Sequence, residues 1–173
     1  CGAARERLNR TPLHGVTVVA ERNEDTRGSV CNAILRALPE WFGIDEAVEE
    51  YAVDVRTIDT LVMTAFGVPI GFVSMTFHWG HHADLHVLGL LREFHGQGLG
   101  RRLIGEAEQL AQSRGVRYLT VKTLAESHPD PNYARTREFY LRMGFKPFEV
   151  FPDLWGEANP CLYMLKDLAP SDA

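Results

Sequence analysis

A glycine-rich junction between an apolar run and an amphipathic stretch constrains this chain more than any other feature. The segment Leu90–Ile104 reads LLREFHGQGLGRRLI, with glycine at alternate positions, Gly96, Gly98 and Gly100. Because glycine has no Cβ, backbone N–H groups in such a loop can approach a ligand and point at it. A helix that follows the loop adds its positive dipole end at the same place. The junction therefore predicts a strand–loop–helix unit that binds phosphate, most simply a pyrophosphate.

The spacing of these glycines excludes two common phosphate loops. A Walker loop requires Lys and then Ser or Thr after its last glycine, and here Gly100 is followed by Arg101. The dinucleotide fingerprint Gly-x-Gly-x-x-Gly fails in both registers, because its last glycine falls at Arg101 or at Leu103. On this motif alone, a strand-to-helix turn without a ligand remains an equal alternative.

Composition and charge narrow the class of protein. The 173 residues are 45% hydrophobic and 24% charged, which is typical of one soluble domain, here 1–173. No run approaches the length of a membrane span, and no signal-peptide pattern opens the chain. Three widely spaced cysteines argue against a disulfide framework. A net charge of −5 disfavours a nucleic-acid surface. We expect a cytoplasmic monomer or homodimer without nucleic-acid or membrane partners.

The hydrophobic periodicity predicts an α/β fold. Strands are expected at 14–20, 59–66, 68–78, 83–91, 116–123, 145–151 and 161–166. Helices are expected at 28–38, from an Asp45 cap through 48–55, and at 98–114 and 133–143. A helix connects 83–91 to 116–123, so these two strands should be parallel. The result is a mixed, mostly antiparallel central sheet with one parallel strand–helix–strand crossover.

Two motifs resemble those of one enzyme superfamily. His95–Gly100, HGQGLG, resembles the Gln/Arg-x-x-Gly-x-Gly/Ala loop of the GNAT (general control-related N-acetyltransferase) superfamily. It departs from that pattern in its first residue, and Arg92 stands where the superfamily often has proline. Tyr133–Phe145 resembles the superfamily's tyrosine-bearing helix that ends in Gly-Phe, and the order of elements agrees. The resemblance implies a GNAT-like acyl-CoA N-acyltransferase fold and transfer of acetyl from acetyl-CoA to a primary amine.

The same resemblance implies a set of residues for acetyl-CoA. Those expected to contact the cofactor, through the pyrophosphate loop, the strand end or the later helix, are Leu90, Leu91, His95, Gly96, Gln97, Gly98, Leu99, Gly100, Arg101, Tyr133 and Arg137. Most loop contacts would use backbone N–H groups, and the N–H of Leu90 is a candidate to stabilise a developing oxyanion. For Arg137 an ordinary surface charge remains the alternative.

Three residues are expected to move protons. Tyr140 aligns with the superfamily's general acid, which protonates the leaving thiolate; core packing is the alternative, and Phe139 is expected to be the core residue of the pair. Strand alternation puts Asp84 and His86 on one face. Asp84 lies eleven residues before His95, where several members carry a glutamate base. A turn residue capping the hairpin is the alternative for Asp84, and a satisfied, partly buried histidine is that for His86.

The sequence says less about the part of the site that would bind the amine acceptor. Histidines crowd 78–86, but no recognised zinc spacing is present, so we expect no metal and favour a histidine-rich turn near the acceptor cleft. Aromatic side chains expected to line that cleft are Trp41, Phe42, Tyr51, Trp79 and Trp155. Acidic residues around Glu40–Glu50 could attract a cationic amine, with a solvated helix surface as the alternative. The expected substrate is a small molecule; a non-catalytic acyl-CoA-binding or regulatory module on the same fold is the competing hypothesis.

Overall fold

The computed structural model describes residues 15–169 of the chain. Its strands are β1 Val16–Glu21, β2 Asp59–Ala65, β3 Val68–His78, β4 His82–Leu90, β5 Tyr118–Leu124, β6 Lys146–Phe151 and β7 Cys161–Asp167. Its α-helices are α1 Glu24–Arg36, α2 Asp45–Asp54, α3 Leu99–Ser113 and α4 Pro131–Arg142. The predicted order of strands and helices is confirmed. His14, where the first strand was expected to begin, lies outside the described residues.

The seven strands form a mixed sheet in the order β1-β2-β3-β4-β5-β7-β6. β4 and β5 are parallel, as the intervening helix α3 predicts, and Asp84 lies opposite Thr120 in their register. β5 and β7 are antiparallel, as are β6 and β7. The predicted mostly antiparallel sheet with one parallel crossover is therefore confirmed. Its parallel pair places the side chains of Asp84 and Thr120 on adjacent strands.

Two compact units make up the described residues. The first contains the residues up to Ser74 together with Val87–Ala107, and the second contains Met75–His86 together with the residues from Glu108 onward. The first unit holds an apolar cluster built from α1, α2 and strand residues, including Ile34, Leu35 and Phe72. Burial of such side chains stabilises a fold by about 1.5–3 kcal/mol each. This cluster anchors the strand that leads into the glycine loop.

The starts of the first two helices differ from expectation. α1 begins at Glu24, not at position 28, because the Asn23 side chain accepts a hydrogen bond from the Thr26 N–H at 2.9 Å and caps the helix. Asp45 is not the cap of α2: Ile44 occupies that position without a side-chain cap, and Asp45 is the first helical residue, paired with Arg36 at 2.7 Å. Within residues 15–169 no helix is long and apolar enough to cross a membrane.

Candidate functional site

The glycine loop lies in the first unit and has the exposed backbone that its sequence predicts. Gly96 and Gly98 have φ of 72° and 80°, a conformation that side-chain-bearing residues rarely adopt. Both are exposed, and a Cβ at either position would meet no protein atom within 4 Å. The Arg102 N–H donates to the Gly98 carbonyl at 3.1 Å, so the first turn of α3 opens at the loop. The first N–H groups of a helix have no intrahelical acceptor, which leaves them for an anion.

Side chains on both sides of the loop hold it in place. The His95 Nε2–H donates to the Leu90 carbonyl at 2.6 Å, and the imidazole meets the Trp41 ring edge-on at 5.8 Å between centroids. The Gln97 side-chain amide donates to the Glu93 carbonyl at 2.8 Å. A short 3₁₀ helix, Arg92–Phe94, lies between the end of β4 and the glycine loop. The sequence did not indicate this helix. The unusual histidine of the motif therefore ties the loop to the end of β4.

Two of the predicted cofactor residues have backbone groups engaged within the fold. The Leu91 N–H donates to the Ile70 carbonyl at 2.9 Å, and the Leu90 carbonyl accepts from His95. Leu99 is buried, while Arg101 is exposed at the start of α3. The Leu91 amide is thus engaged within the fold, whereas Gly96 and Gly98 are exposed residues of the loop.

Asp84 lies in the second unit, inside β4, and is 5% exposed. It is therefore not a residue that caps the hairpin turn. One carboxylate oxygen, Oδ1, accepts from the Thr120 hydroxyl at 2.6 Å, and the other, Oδ2, accepts from the Lys122 ammonium at 2.9 Å. The ammonium compensates the buried negative charge, which would otherwise be strongly unfavourable. Lys122 also lies over the Tyr163 ring, 4.8 Å from its centroid.

His86 follows Asp84 by two residues in β4 and is half-buried. His82 precedes Asp84 by two, and its Nε2 lies 2.7 Å from the Thr120 hydroxyl oxygen. Among residues 15–169, no group of three or more His, Cys, Asp or Glu side chains is arranged to hold a metal ion. Instead His78 stacks on His82 at 5.3 Å, and His81 Nδ1 contacts the Trp79 carbonyl at 3.0 Å.

Tyr140 lies on the inward face of α4. It is 5% exposed and meets the Phe145 ring edge-on at 5.6 Å. The expectation that Phe139 would be the core residue is wrong: Phe139 is only half-buried, because neighbouring residues of a helix point about 100° apart and Tyr140 takes the inward direction. Burial, with smaller contributions from Tyr133 and Asp84, raises the pKa of Tyr140 well above its ordinary value. The hydroxyl, which an ordinary tyrosine keeps protonated up to a pH of about 10, therefore stays protonated at higher pH as well.

Tyr133 and Arg137 lie on the same side of α4 as Tyr140. Tyr133 packs edge-on against His128, 6.3 Å between ring centroids. The Arg137 guanidinium donates from Nη1 to the carbonyls of Leu124 and Ala125, at 3.0 and 3.2 Å. Arg137 is therefore more than a solvated surface charge, since it fixes the end of β5 against α4.

Comparison with known proteins assigns the family. The model of the acetyltransferase (GNAT) family matches residues 32–145, a span that includes both the glycine loop and Tyr140. This chain belongs to the GNAT family. It is an acetyltransferase, and its cosubstrate is acetyl-CoA.

One curated relative and two solved structures illustrate what this GNAT protein is similar to. An uncharacterised N-acetyltransferase of Chlorobaculum tepidum is 29% identical over 121 residues, which are 68% of this chain and 70% of that relative. A GNAT-family acetyltransferase structure from Desulfovibrio desulfuricans has a TM-score of 0.75 at 17% identity, covering 89% of this chain and 99% of that one. An aminoglycoside 6′-N-acetyltransferase crystallised with coenzyme A has a TM-score of 0.72 at 18% identity, covering 91% and 99%. At these identities the two structural likenesses show the fold alone.

The tie between His95 and Leu90 gives a first prediction for this GNAT enzyme. Replacing His95 with alanine should weaken acetyl-CoA binding about tenfold, because the loop loses the hydrogen bond to the Leu90 carbonyl and the edge-on contact with Trp41 that hold it. Fluorescence or calorimetric titration measures the change. His81→Ala is the matched control, since His81 also contacts a backbone carbonyl, that of Trp79, and should leave affinity unaltered. Equal losses in both variants would contradict a specific role for His95.

Proposed function

We propose that this enzyme transfers the acetyl group of acetyl-CoA directly to the primary amine of a small molecule. The observation that carries the proposal is the exposed pair of positive-φ glycines, Gly96 and Gly98, before the first turn of α3. The open space over both residues fits a pyrophosphate held by backbone N–H groups. Acetyl-CoA supplies the activated acetyl thioester, and the chain supplies binding and proton transfer.

An alkylamine is an ammonium at neutral pH and must lose a proton before it attacks. Asp84 and His86 are the proposed acceptors of that proton. For Asp84 the support is its place on β4 and its carboxylate, whose negative charge the Lys122 ammonium compensates. His86, on the same strand face, is the alternative base.

The leaving thiolate needs a proton, and Tyr140 is the proposed donor. A group serves as general acid only while it remains protonated, and the burial that raises the Tyr140 pKa favours its protonated form. Contact with Phe145 fixes the ring and so limits the directions in which the hydroxyl can point.

The burial of two cysteine thiols, Cys31 and Cys161, favours direct transfer over a route through an acetyl-cysteine intermediate. Cys31 and Cys161 are both free and buried, and burial raises their pKa to about 12 and about 11. At neutral pH both remain neutral thiols, which are poor nucleophiles. We therefore expect Cys161→Ala to retain turnover and the wild type to accumulate no acetyl-enzyme when mixed with acetyl-CoA alone. Intact-mass spectrometry detects the acetyl adduct, and an adduct on either cysteine would contradict direct transfer.

The substrate class is tested by release of the CoA thiol in the presence of an amine panel. The panel contains an aminoglycoside, a polyamine, free amino acids and a peptide with a free N-terminus. Small amines are expected to give the higher kcat/KM. Acidic residues near α2 are partly compensated within the protein, since Glu40 pairs with Arg92 and Glu49 with Arg36. Attraction between these acidic residues and a cationic amine is thus a weak guide to the identity of the amine. A higher kcat/KM for the peptide than for the small amines would overturn the small-molecule assignment.

A further inference from the structure

We infer that Trp41, in the segment that follows α1, is a positioning residue for acetyl-CoA, because it holds the glycine loop in its binding conformation. It acts through Arg92 and His95, the two positions at which this chain differs from the superfamily pattern. The sequence patterns do not connect Trp41 with the cofactor. The inference rests on the proposed function in one respect, namely that the glycine loop holds the pyrophosphate.

The 3₁₀ helix Arg92–Phe94 turns the two unusual side chains to the same side. The His95 N–H donates to the Arg92 carbonyl at 3.0 Å, which continues the turn as far as His95. Residues three apart in a 3₁₀ helix are aligned along its axis, so Arg92 and His95 can reach one neighbour. Phe94 is 4% exposed, and its burial fixes how the turn is rotated about its axis.

The indole of Trp41 is that neighbour. The Arg92 guanidinium carbon lies over the indole, 5.7 Å from the ring centroid, and the His95 imidazole meets the indole at 5.8 Å between centroids. A cation over an aromatic face and an edge-on ring pair are both attractive. The ion pair of Arg92 with Glu40 adds little by itself, because both side chains are partly exposed. The contact between segment and loop therefore depends mainly on the indole.

The segment that carries Trp41 is itself fixed by the two helices on either side of it. The N–H groups of Trp41 and Phe42 donate to the Leu38 carbonyl at 3.1 and 3.0 Å, and Leu38 belongs to the apolar cluster of the first unit. The Phe42 ring meets the Tyr51 ring of α2 edge-on, 6.1 Å between centroids. Trp41 is thus a fixed support against which the side chains of the loop can rest.

His95 transmits this support to the phosphate-binding backbone. It directly precedes Gly96, and its side chain is held from two sides, by the Leu90 carbonyl at 2.6 Å and by Trp41. Glycine loses more conformational freedom than any other residue when it is fixed, and the loop contains Gly96 and Gly98. A loop that is already held before the ligand arrives loses less entropy on binding, which raises its affinity for acetyl-CoA.

Calorimetric titration of the Trp41→Leu protein with acetyl-CoA tests the inference. We expect the Kd to rise about tenfold, and Trp41→Phe, which keeps an aromatic ring, to recover most of the loss. The control is Phe148→Leu, which removes a 67% exposed aromatic ring on β6 and should leave the Kd unchanged. Wild-type affinity in Trp41→Leu, or an equal loss in Phe148→Leu, would overturn the role of Trp41.

A double variant shows whether Trp41 acts through His95. If both residues support the loop through one contact, Trp41→Leu combined with His95→Ala should bind acetyl-CoA about as weakly as His95→Ala alone. Losses that multiply, to about 100-fold in the double variant, would mean that the two residues act independently and would overturn the inference.

Amide hydrogen exchange in the full-length protein without ligand tests the support directly. In Trp41→Leu the amides of 95–98 should exchange faster than in the wild type, while those of β2 and β3 keep their rates; Trp41→Phe should restore the loop. Wild-type exchange in the loop, or faster exchange throughout the first unit, would overturn the inference. Wild-type acetyl-CoA affinity in Gly98→Val would instead overturn the place of the pyrophosphate in the proposed function, and the exchange rates would still decide whether Trp41 holds the loop.

Discussion

Replacing Gly98 with valine is expected to weaken acetyl-CoA binding about 100-fold or more, since two charge-assisted hydrogen bonds of about 1.5 kcal/mol each would be lost. A Cβ at Gly98 meets no protein atom within 4 Å, so the valine side chain would extend into the open space beside the loop. There it blocks the approach of a pyrophosphate to backbone N–H groups. Calorimetric titration with acetyl-CoA measures the loss.

The control for this variant must carry the same backbone strain. Gly115, beyond the end of α3, has φ of 76°, and a Cβ there also meets nothing within 4 Å. Gly115→Val should therefore lose about 1–3 kcal/mol of stability, as Gly98→Val does, while it binds acetyl-CoA like the wild type. Wild-type affinity in Gly98→Val would mean that the phosphates bind elsewhere on the protein.

Removal of the Tyr140 hydroxyl should have the second large effect. Tyr140→Phe is expected to lower kcat about 100-fold with little change in acetyl-CoA affinity, because a general acid is lost. The phenylalanine ring should keep the edge-on contact with Phe145, so the fold is retained. Steady-state kinetics and a binding titration on the same protein separate the two quantities.

The pH profile gives Tyr140 a further test. Since burial raises its pKa, the protonated form persists as pH rises through the ordinary tyrosine value of about 10, and kcat should not fall there through loss of this proton. Tyr118→Phe, which removes a hydroxyl from a half-buried tyrosine at the start of β5, should retain full turnover. Full turnover in Tyr140→Phe as well would remove Tyr140 from the mechanism.

Local patterns predicted most of the fold. β3 was expected at 68–78 and occupies those residues, and the parallel pairing of β4 with β5 followed from the helix between them. The start of α1 was missed because its first turn is polar and carries no apolar repeat; the signal was Asn23, a cap residue followed by two acidic residues. The 3₁₀ helix 92–94 is too short to produce a periodic pattern.

Only those parts of the candidate site that come from one continuous segment could be predicted from the sequence. The glycine loop is local, so its open backbone could be predicted from 95–100. The partners of Asp84 could not, because Thr120 and Lys122 lie 36 and 38 residues away and meet it only through the register of two parallel strands. The prediction that Phe139, rather than Tyr140, would be the buried core residue was also wrong. For two adjacent aromatic residues, the buried one is decided by which face of the helix packs inward, and the local sequence does not show this.

The most direct test of the central claim, that the Gly96–Arg101 loop holds acetyl-CoA by its pyrophosphate, is calorimetric titration of the purified protein with three ligands. Acetyl-CoA should bind one-to-one. Dephospho-CoA, which keeps the pyrophosphate, should bind too, and NAD should not, because the glycine spacing does not match a dinucleotide loop. Absence of acetyl-CoA binding, or equal binding of NAD, would contradict the account.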